Sequence, residues 1–216
     1  MVVTIVADVL GEENNGTTIA CMNLVRYLKG RGDTVKIVCC DQDKKGVPGY
    51  YVVPTLNLGP INWALKRNQV TLAKPDKKII ESAIIGSDVV HIMIPFSLGR
   101  KALKICMERN IPVTAGFHCQ AENFTSHLFG TMNSKFVNHK VYKIFYKKLY
   151  RYVNAIHYPS EFIKNVFEKD PELPVVYNGC NNPNCKGILK KNFRNFLCQG
   201  TILFTEHRRL QMSEYM

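Results

Sequence analysis

Residues 2–40, VVTIVADVLGEENNGTTIACMNLVRYLKGRGDTVKIVCC, decide the fold. Val2 to Val9 is a β-branched run that predicts a strand, and it leads into a polar loop from Leu10 to Gly16. Cys21, Leu24, Val25 and Leu28 then recur at the i, i+3, i+4, i+7 spacing of one helix face. Gly30 and Gly32 stop that helix, and Val35 to Cys40 is an apolar run short enough to be a buried parallel strand. Strand, helix and strand in this order make a right-handed βαβ unit.

The alternation continues outward from this unit. A short strand is expected near Tyr51 to Val53, followed by a less regular, Pro-containing stretch to about Lys74. Asp76 to Ile85 reads as a helix, and Asp88 to Ile94 as a buried strand ended by Pro95. Ala102, Ile105 and Cys106 mark the apolar face of the helix after Gly99, and Asn110-Ile111-Pro112 turns the chain into a strand from Val113 to Phe117. A long helix from about Lys135 to Val153, a strand from Ala155 to Tyr158 and a helix capped by Ser160 complete the series. This pattern predicts an α/β protein with a doubly wound, Rossmann-like parallel sheet. Residues 1–179 form its domain; 180–216, rich in Asn, Pro, Lys and Cys, read as a linker with one further strand at Thr201 to Thr205. That strand has no sheet of its own to join, so the segment from about Asn181 is expected to be poorly ordered.

With 216 residues, 46% of them hydrophobic, the chain can bury a substantial core, and collagen-like, coiled-coil and low-complexity classes are excluded. The first residues lack a basic region and run into Glu12-Glu13, so they are read as a strand and not as a signal peptide. No apolar run approaches the roughly 20 residues of a membrane span. Eight irregularly spaced cysteines suggest neither a disulfide framework nor a zinc site, which points to the reducing cytoplasm. The formal net charge of +12 calls for an acidic partner: a phosphorylated substrate, an anionic membrane surface or nucleic acid. Nucleic acid is the weakest of these, since no helix-turn-helix, zinc-finger or RNA-recognition signature accompanies the charge.

In doubly wound folds ligands sit at the carboxyl ends of the strands, which directs attention to the loops after Val9, Ile94 and Phe117. Asn15, Gly16 and Thr17 lie at a helix N-terminus, where free N–H groups attract phosphate; an ordinary capped turn would look the same. Phe117-His118-Cys119-Gln120-Ala121-Glu122-Asn123 places a polar cluster at a strand end. His118 suits a hydrogen bond to a sugar hydroxyl or proton transfer, and Glu122 or Asn123 suits an acceptor; a histidine capping the next helix is the alternative. His91, inside a strand, reads as a satisfied core histidine. On the long helix Lys140, Lys143, Lys147 and Arg151 form one stripe and Tyr142, Tyr146 and Tyr150 an adjacent one. Such a surface suits anionic headgroups, or else it is a solvated face with snorkelling lysines. A non-catalytic binding module that uses this basic face is the reading opposed to an enzyme.

Four segments in their order resemble the N-terminal half of family-4 glycosyltransferases of the GT-B architecture. They are Asn15-Gly16-Thr17-Thr18, Asp88-Val89-Val90-His91 with Pro95, Ile111-Pro112-Val113-Thr114 running to Phe117-His118, and Pro174-Val175-Val176-Tyr177-Asn178-Gly179. Within that family, His118 to Asn123 is most similar to the bacterial subgroup that glycosylates lipids such as diacylglycerol. The resemblance implies hexosyl transfer from a nucleotide-sugar, such as UDP-glucose, to a lipid or other hydroxyl acceptor, with no permanently bound cofactor and no metal. Gly16 and Thr17 would approach the donor phosphates, His118 the transferred sugar, and Glu122, Asn123 and the basic helix the acceptor, in the cytoplasm or at the inner face of the membrane. A second domain after the linker at Asn178-Gly179 would hold the nucleotide. Only its first strand, Thr201 to Thr205, has a counterpart before Met216, so the chain reads as a truncated enzyme or one half of a split one, inactive without a complementing domain.

Overall fold

A computed structural model describes residues 1–8, 10, 16–57, 59, 71–119 and 135–158. Its elements in chain order are β1 (Val2–Val6), α1 (Gly16–Gly30), β2 (Thr34–Cys39), β3 (Tyr50–Val52), α2 (Lys77–Ile84), β4 (Val89–Ile92), α3 (Ser97–Glu108), β5 (Val113–Gly116), α4 (Lys135–Lys148) and β6 (Ala155–His157). The six strands form one sheet in the order β3-β2-β1-β4-β5-β6, and every pairing is parallel. This is the doubly wound arrangement anticipated above. Its topological switch point falls between β1 and β4, where the winding reverses.

Alternation along each strand builds two cores. Val3, Ile5, Ala7, Ile37, Cys39, Val89 and Met93 share one with Cys21, Val25 and Leu28 of α1. Val6, Val38, Val90, Ile92 and Ala115 share the other with Ile80 and Ile84 of α2, Leu98, Ala102 and Ile105 of α3, and Phe145 and Leu149 at the end of α4. The central strands are therefore buried on both faces, which is why they read as continuous apolar runs and not as an alternation.

Local chemistry sets the boundaries. Asp76 caps α2 by accepting the Ile79 N–H at 3.1 Å. Past α3, Asn110 takes φ 54°, and Ile111 N–H closes onto the Cys106 carbonyl at 2.9 Å before Pro112 enters β5. β1 is shorter than the run Val2 to Val9 predicts: Ala7 N–H still bonds the Val38 carbonyl, and Asp8 then turns its carboxylate to the Ala73 N–H. The long helix stops at Lys148 and continues only as a 3₁₀ turn, Tyr150–Tyr152.

The tyrosine stripe of α4 requires a correction. Tyr142 and Tyr150 are buried, with rings 6.0 and 5.2 Å from that of Phe117, and Tyr150 Oη donates to the Gly116 carbonyl at 3.1 Å. Tyr146 is half-buried and packs on the same core. These aromatic rings anchor α4 to the sheet because burial of their large apolar area outweighs exposure of an interfacial stripe. The Ser160 helix, the Asn178-Gly179 linker and the strand Thr201 to Thr205 lie outside the described residues.

Gly99 sits in the first turn of α3 because nothing larger fits. A β-carbon there would lie 2.6 Å from Ile92 Cγ2 and 2.6 Å from the Ile94 carbonyl oxygen. Gly99→Ala should therefore push α3 off β4 and cost about 1–3 kcal/mol. Gly30→Ala, which meets nothing within 4 Å, should be neutral or slightly stabilising. Urea unfolding of both variants checks this, and equal midpoints would refute the packing account.

Candidate functional site

The carboxyl ends of β1, β4, β5 and β6 bring together residues far apart in sequence. After β1, Asp8 is only 2% exposed. Its Oδ1 accepts the Ala73 N–H at 3.1 Å, and its backbone carbonyl accepts from Cys40 N–H at 3.0 Å and Cys40 Sγ at 2.8 Å. Burial raises the Asp8 carboxyl to about 6, opposed by the Ala73 hydrogen bond and the charge of Arg100. Sequence reasoning passed over this residue, since an aspartate after a strand usually turns toward water.

Gly16 and Thr17 open α1, with Gly16 exposed, Thr17 half-buried and Thr18 buried. They follow β1, Asp8 and Leu10 along the chain. Asn15, Glu122, Asn123, Asn178 and Gly179 lie outside the described residues.

A histidine cluster occupies the β4–β5–β6 side. The register sets His91 against Thr114 and Gly116 against His157, and His118 follows two residues after Gly116. His91 Nδ1 lies 2.8 Å from Thr114 Oγ1. His91 is 1% exposed, and among the described residues its Nε2 has no hydrogen-bond partner, so the expectation of a satisfied core histidine holds there at one ring nitrogen only. His118 is half-buried, and its ring folds back over the sheet. A β-carbon on Gly116 would meet His118 Cδ2 at 2.5 Å and Nε2 at 2.6 Å, and His91 Nε2 at 3.5 Å. The rings of His118 and His157 lie 5.9 Å apart.

Loss of hydration, and secondarily the neighbouring imidazoles, hold His91 and His118 down to about 3; burial lowers His157 as well. All three are thus neutral near pH 7, suited to donate or accept hydrogen bonds and unsuited to act as cations. They do not form a metal-binding set, and among the described residues no group of three His, Cys, Asp or Glu does. Burial pushes the thiols of Cys39, Cys40, Cys106 and Cys119 up to about 12, so they stay protonated near pH 7.

The exposed side of α4 carries Phe136 at 66% and Ile144 at 51% exposure, interleaved with Lys140, Lys147 and Lys148. Lys140 Nζ lies 4.2 Å from the Phe136 ring centroid, and Arg151 lies over the Tyr152 ring at 4.9 Å. Lys143 is half-buried. No helix among the described residues is long and apolar enough to cross a membrane.

Asp8 and the histidines respond to acid in opposite senses. Folding raises the Asp8 carboxyl from 3.8 to about 6, so the folded protein gains stability from this group as pH falls from about 6 toward 4. The buried histidines remain neutral in the folded state but take up protons when unfolded below about 6.5, so they lose stability over the same range. Asp8→Asn should therefore be more stable than the unsubstituted chain at pH 7.5 by about 2–3 kcal/mol, and the advantage should vanish by pH 4. Urea titrations at the two pH values decide it, and a pH-independent difference would contradict the assignment.

Solved structures align with the chain, among them two of which it spans about two-fifths of the length. A UDP co-structure of MnaA from S. aureus matches with 9% identity and a TM-score of 0.42, over 79% of this chain and 40% of the other. A protein designated a UDP-N-acetylglucosamine 2-epimerase of Listeria monocytogenes matches with 10% identity and a TM-score of 0.45, over 80% and 42%. Among curated proteins none matches. The model of Glycosyltransferase Family 4 matches residues 14–182, a span that takes in α1, every strand from β2 to β6 and the three histidines of the cluster. Because that match covers well over half of the 216 residues, the chain belongs to Glycosyltransferase Family 4.

Proposed function

We propose that this chain is the acceptor-side half of a glycosyltransferase that moves a hexosyl group from a nucleotide-sugar, such as a UDP-sugar, to the hydroxyl of a lipid acceptor. The observation that supports the reading is that Gly16-Thr17 follow β1 and His118 follows β5 in a 3-2-1-4-5-6 parallel sheet, with these residues inside the span matched by the family. In this reading the α1 N-terminus, with Asn15, Gly16 and Thr17, faces the donor phosphates. His118 hydrogen-bonds a hydroxyl of the transferred sugar, a role that suits a neutral imidazole. Glu122 and Asn123 contact the acceptor. A complementing domain beyond Asn178-Gly179 holds the nucleotide.

The face of α4 docks on an anionic bilayer, with Phe136 and Ile144 entering the interface and Lys140, Lys147, Lys148 and Arg151 meeting headgroups. This docking set replaces the buried tyrosine stripe, and it puts an embedded acceptor hydroxyl within reach of a protein working from the cytoplasmic side.

Transfer from UDP-glucose to diacylglycerol, measured for the chain alone and with a donor-binding domain supplied, tests the reaction. His118→Ala should lower turnover by roughly 10²-fold or more per folded molecule. Absence of transfer with every nucleotide-sugar and every pairing would refute the reading. Docking is tested separately by vesicle flotation: Phe136→Ser with Ile144→Ser should abolish binding to anionic vesicles. Lys140→Glu with Lys147→Glu should weaken it and flatten its salt dependence. Binding of both double variants to anionic vesicles as tight as that of the unsubstituted chain would rule the face out.

A further inference from the structure

The histidine cluster contains a buried polar atom that the proposed reaction does not use. His91 is enclosed by the sheet, yet among the described residues its Nε2 has no partner; it lies 3.5 Å, and His118 Nε2 2.6 Å, from where a β-carbon on Gly116 would stand. An imidazole nitrogen left in such a position opposes folding unless something bridges it.

Hydrogen-bond accounting sets the direction of the chain. The hydroxyl of Thr114 is fully buried and is 2.8 Å from His91 Nδ1. If Nδ1 carried the proton, the Thr114 O–H would itself need a second acceptor inside the sheet. With Thr114 as donor both groups are satisfied, and the His91 proton resides on Nε2.

We propose that Thr114, His91 and Gly116 are positioning residues for His118: the His91 Nε2–H, through one bridging hydroxyl oxygen above Gly116, holds His118 Nε2 as an acceptor and so places the His118 proton on Nδ1. The bridging oxygen accepts from His91 and donates to His118, so one donor and one acceptor are used at each step. Because the Nε2–Cδ2 edge of His118 faces Gly116, Nδ1–H lies on the opposite edge and is the atom offered to substrate. Gly116 contributes by having no side chain, since a methyl group would occupy the ring's position. The inference rests on the reading of His118 as a sugar contact only for its consequence in transfer; the tautomer is a property of the chain by itself.

Long-range ¹H–¹⁵N correlation spectra of the ¹⁵N-labelled full chain report the protonated nitrogen of each histidine at pH 7.5. The expected pattern is Nδ1–H for His118 and Nε2–H for His91. Thr114→Val should shift His118 toward the Nε2–H form that free imidazoles prefer, and Thr114→Ser should restore the original pattern, which loss of packing alone would not do. Gly116→Ala supplies a second test that needs no spectrum: its destabilisation should fall by at least half in the His118→Ala background. An Nε2–H proton on His118 in the unsubstituted chain, no change on Thr114→Val, or equal costs of Gly116→Ala in both backgrounds would each overturn the proposal. If the tautomers are as expected but His118→Ala leaves turnover intact, the sugar-contact reading fails and the positioning stands. A transfer defect in His118→Ala beside an Nε2–H tautomer gives the reverse result.

Discussion

Parallel pairing of β1 with β4 is the constraint on which the rest of the molecule depends. Val3 to Val6 align with Val89 to Ile92, and the start of the pair is locked by reciprocal bonds between Val2 and Asp88. These strands are separated by more than eighty residues of chain. Their union divides the sheet into two oppositely wound halves and sets Asp8, just past β1, and His91, within β4, on either side of the switch point. A slip of one residue would turn His91 to the face held by Val90 and Ile92, and no cluster could form.

The same pairing makes polar burial tolerable. Thr4 Oγ1 bonds the Ala83 carbonyl at 3.2 Å and shares a 2.7 Å bond with Ser87 Oγ, while Asn154 exchanges two bonds with Val113 to hold β6. These contacts satisfy groups that would otherwise oppose folding. The carboxyl-end groups are treated differently: Asp8 is buried against a single N–H, and His91 is satisfied at one nitrogen. This leaves Asp8 and His91 less fully paired than the polar groups buried elsewhere along β1 and β5.

Surface and core on α4 illustrate how chemistry and packing separate. Lysine and tyrosine both combine an apolar body with a polar tip, so their helical stripes look alike in sequence. Contact with Phe117 takes Tyr142 and Tyr150 inward, where ring area is removed from water and the Tyr150 hydroxyl finds the Gly116 carbonyl. Phe136 and Ile144, less conspicuous in sequence, are the apolar groups left outside.

Element order, the buried parallel strands, the α1 face and the strand-end position of His118 were legible in the sequence because they depend on local periodicity and on where apolar runs stop. The boundaries at Val6 and Lys148 were less so, since Asp8 leaves the ladder for Ala73 and α4 tightens to place Tyr150, both contacts with distant chain. Family membership followed from motif order, which survives without knowledge of contacts. The pairing of His91 with Thr114, the approach of His118 to Gly116, the burial of Asp8 and the inward turn of Tyr142 were decided only by tertiary structure. Each depends on strand register or on a neighbour far along the chain, and a run of residues specifies its own periodicity but not the partner against which it is laid.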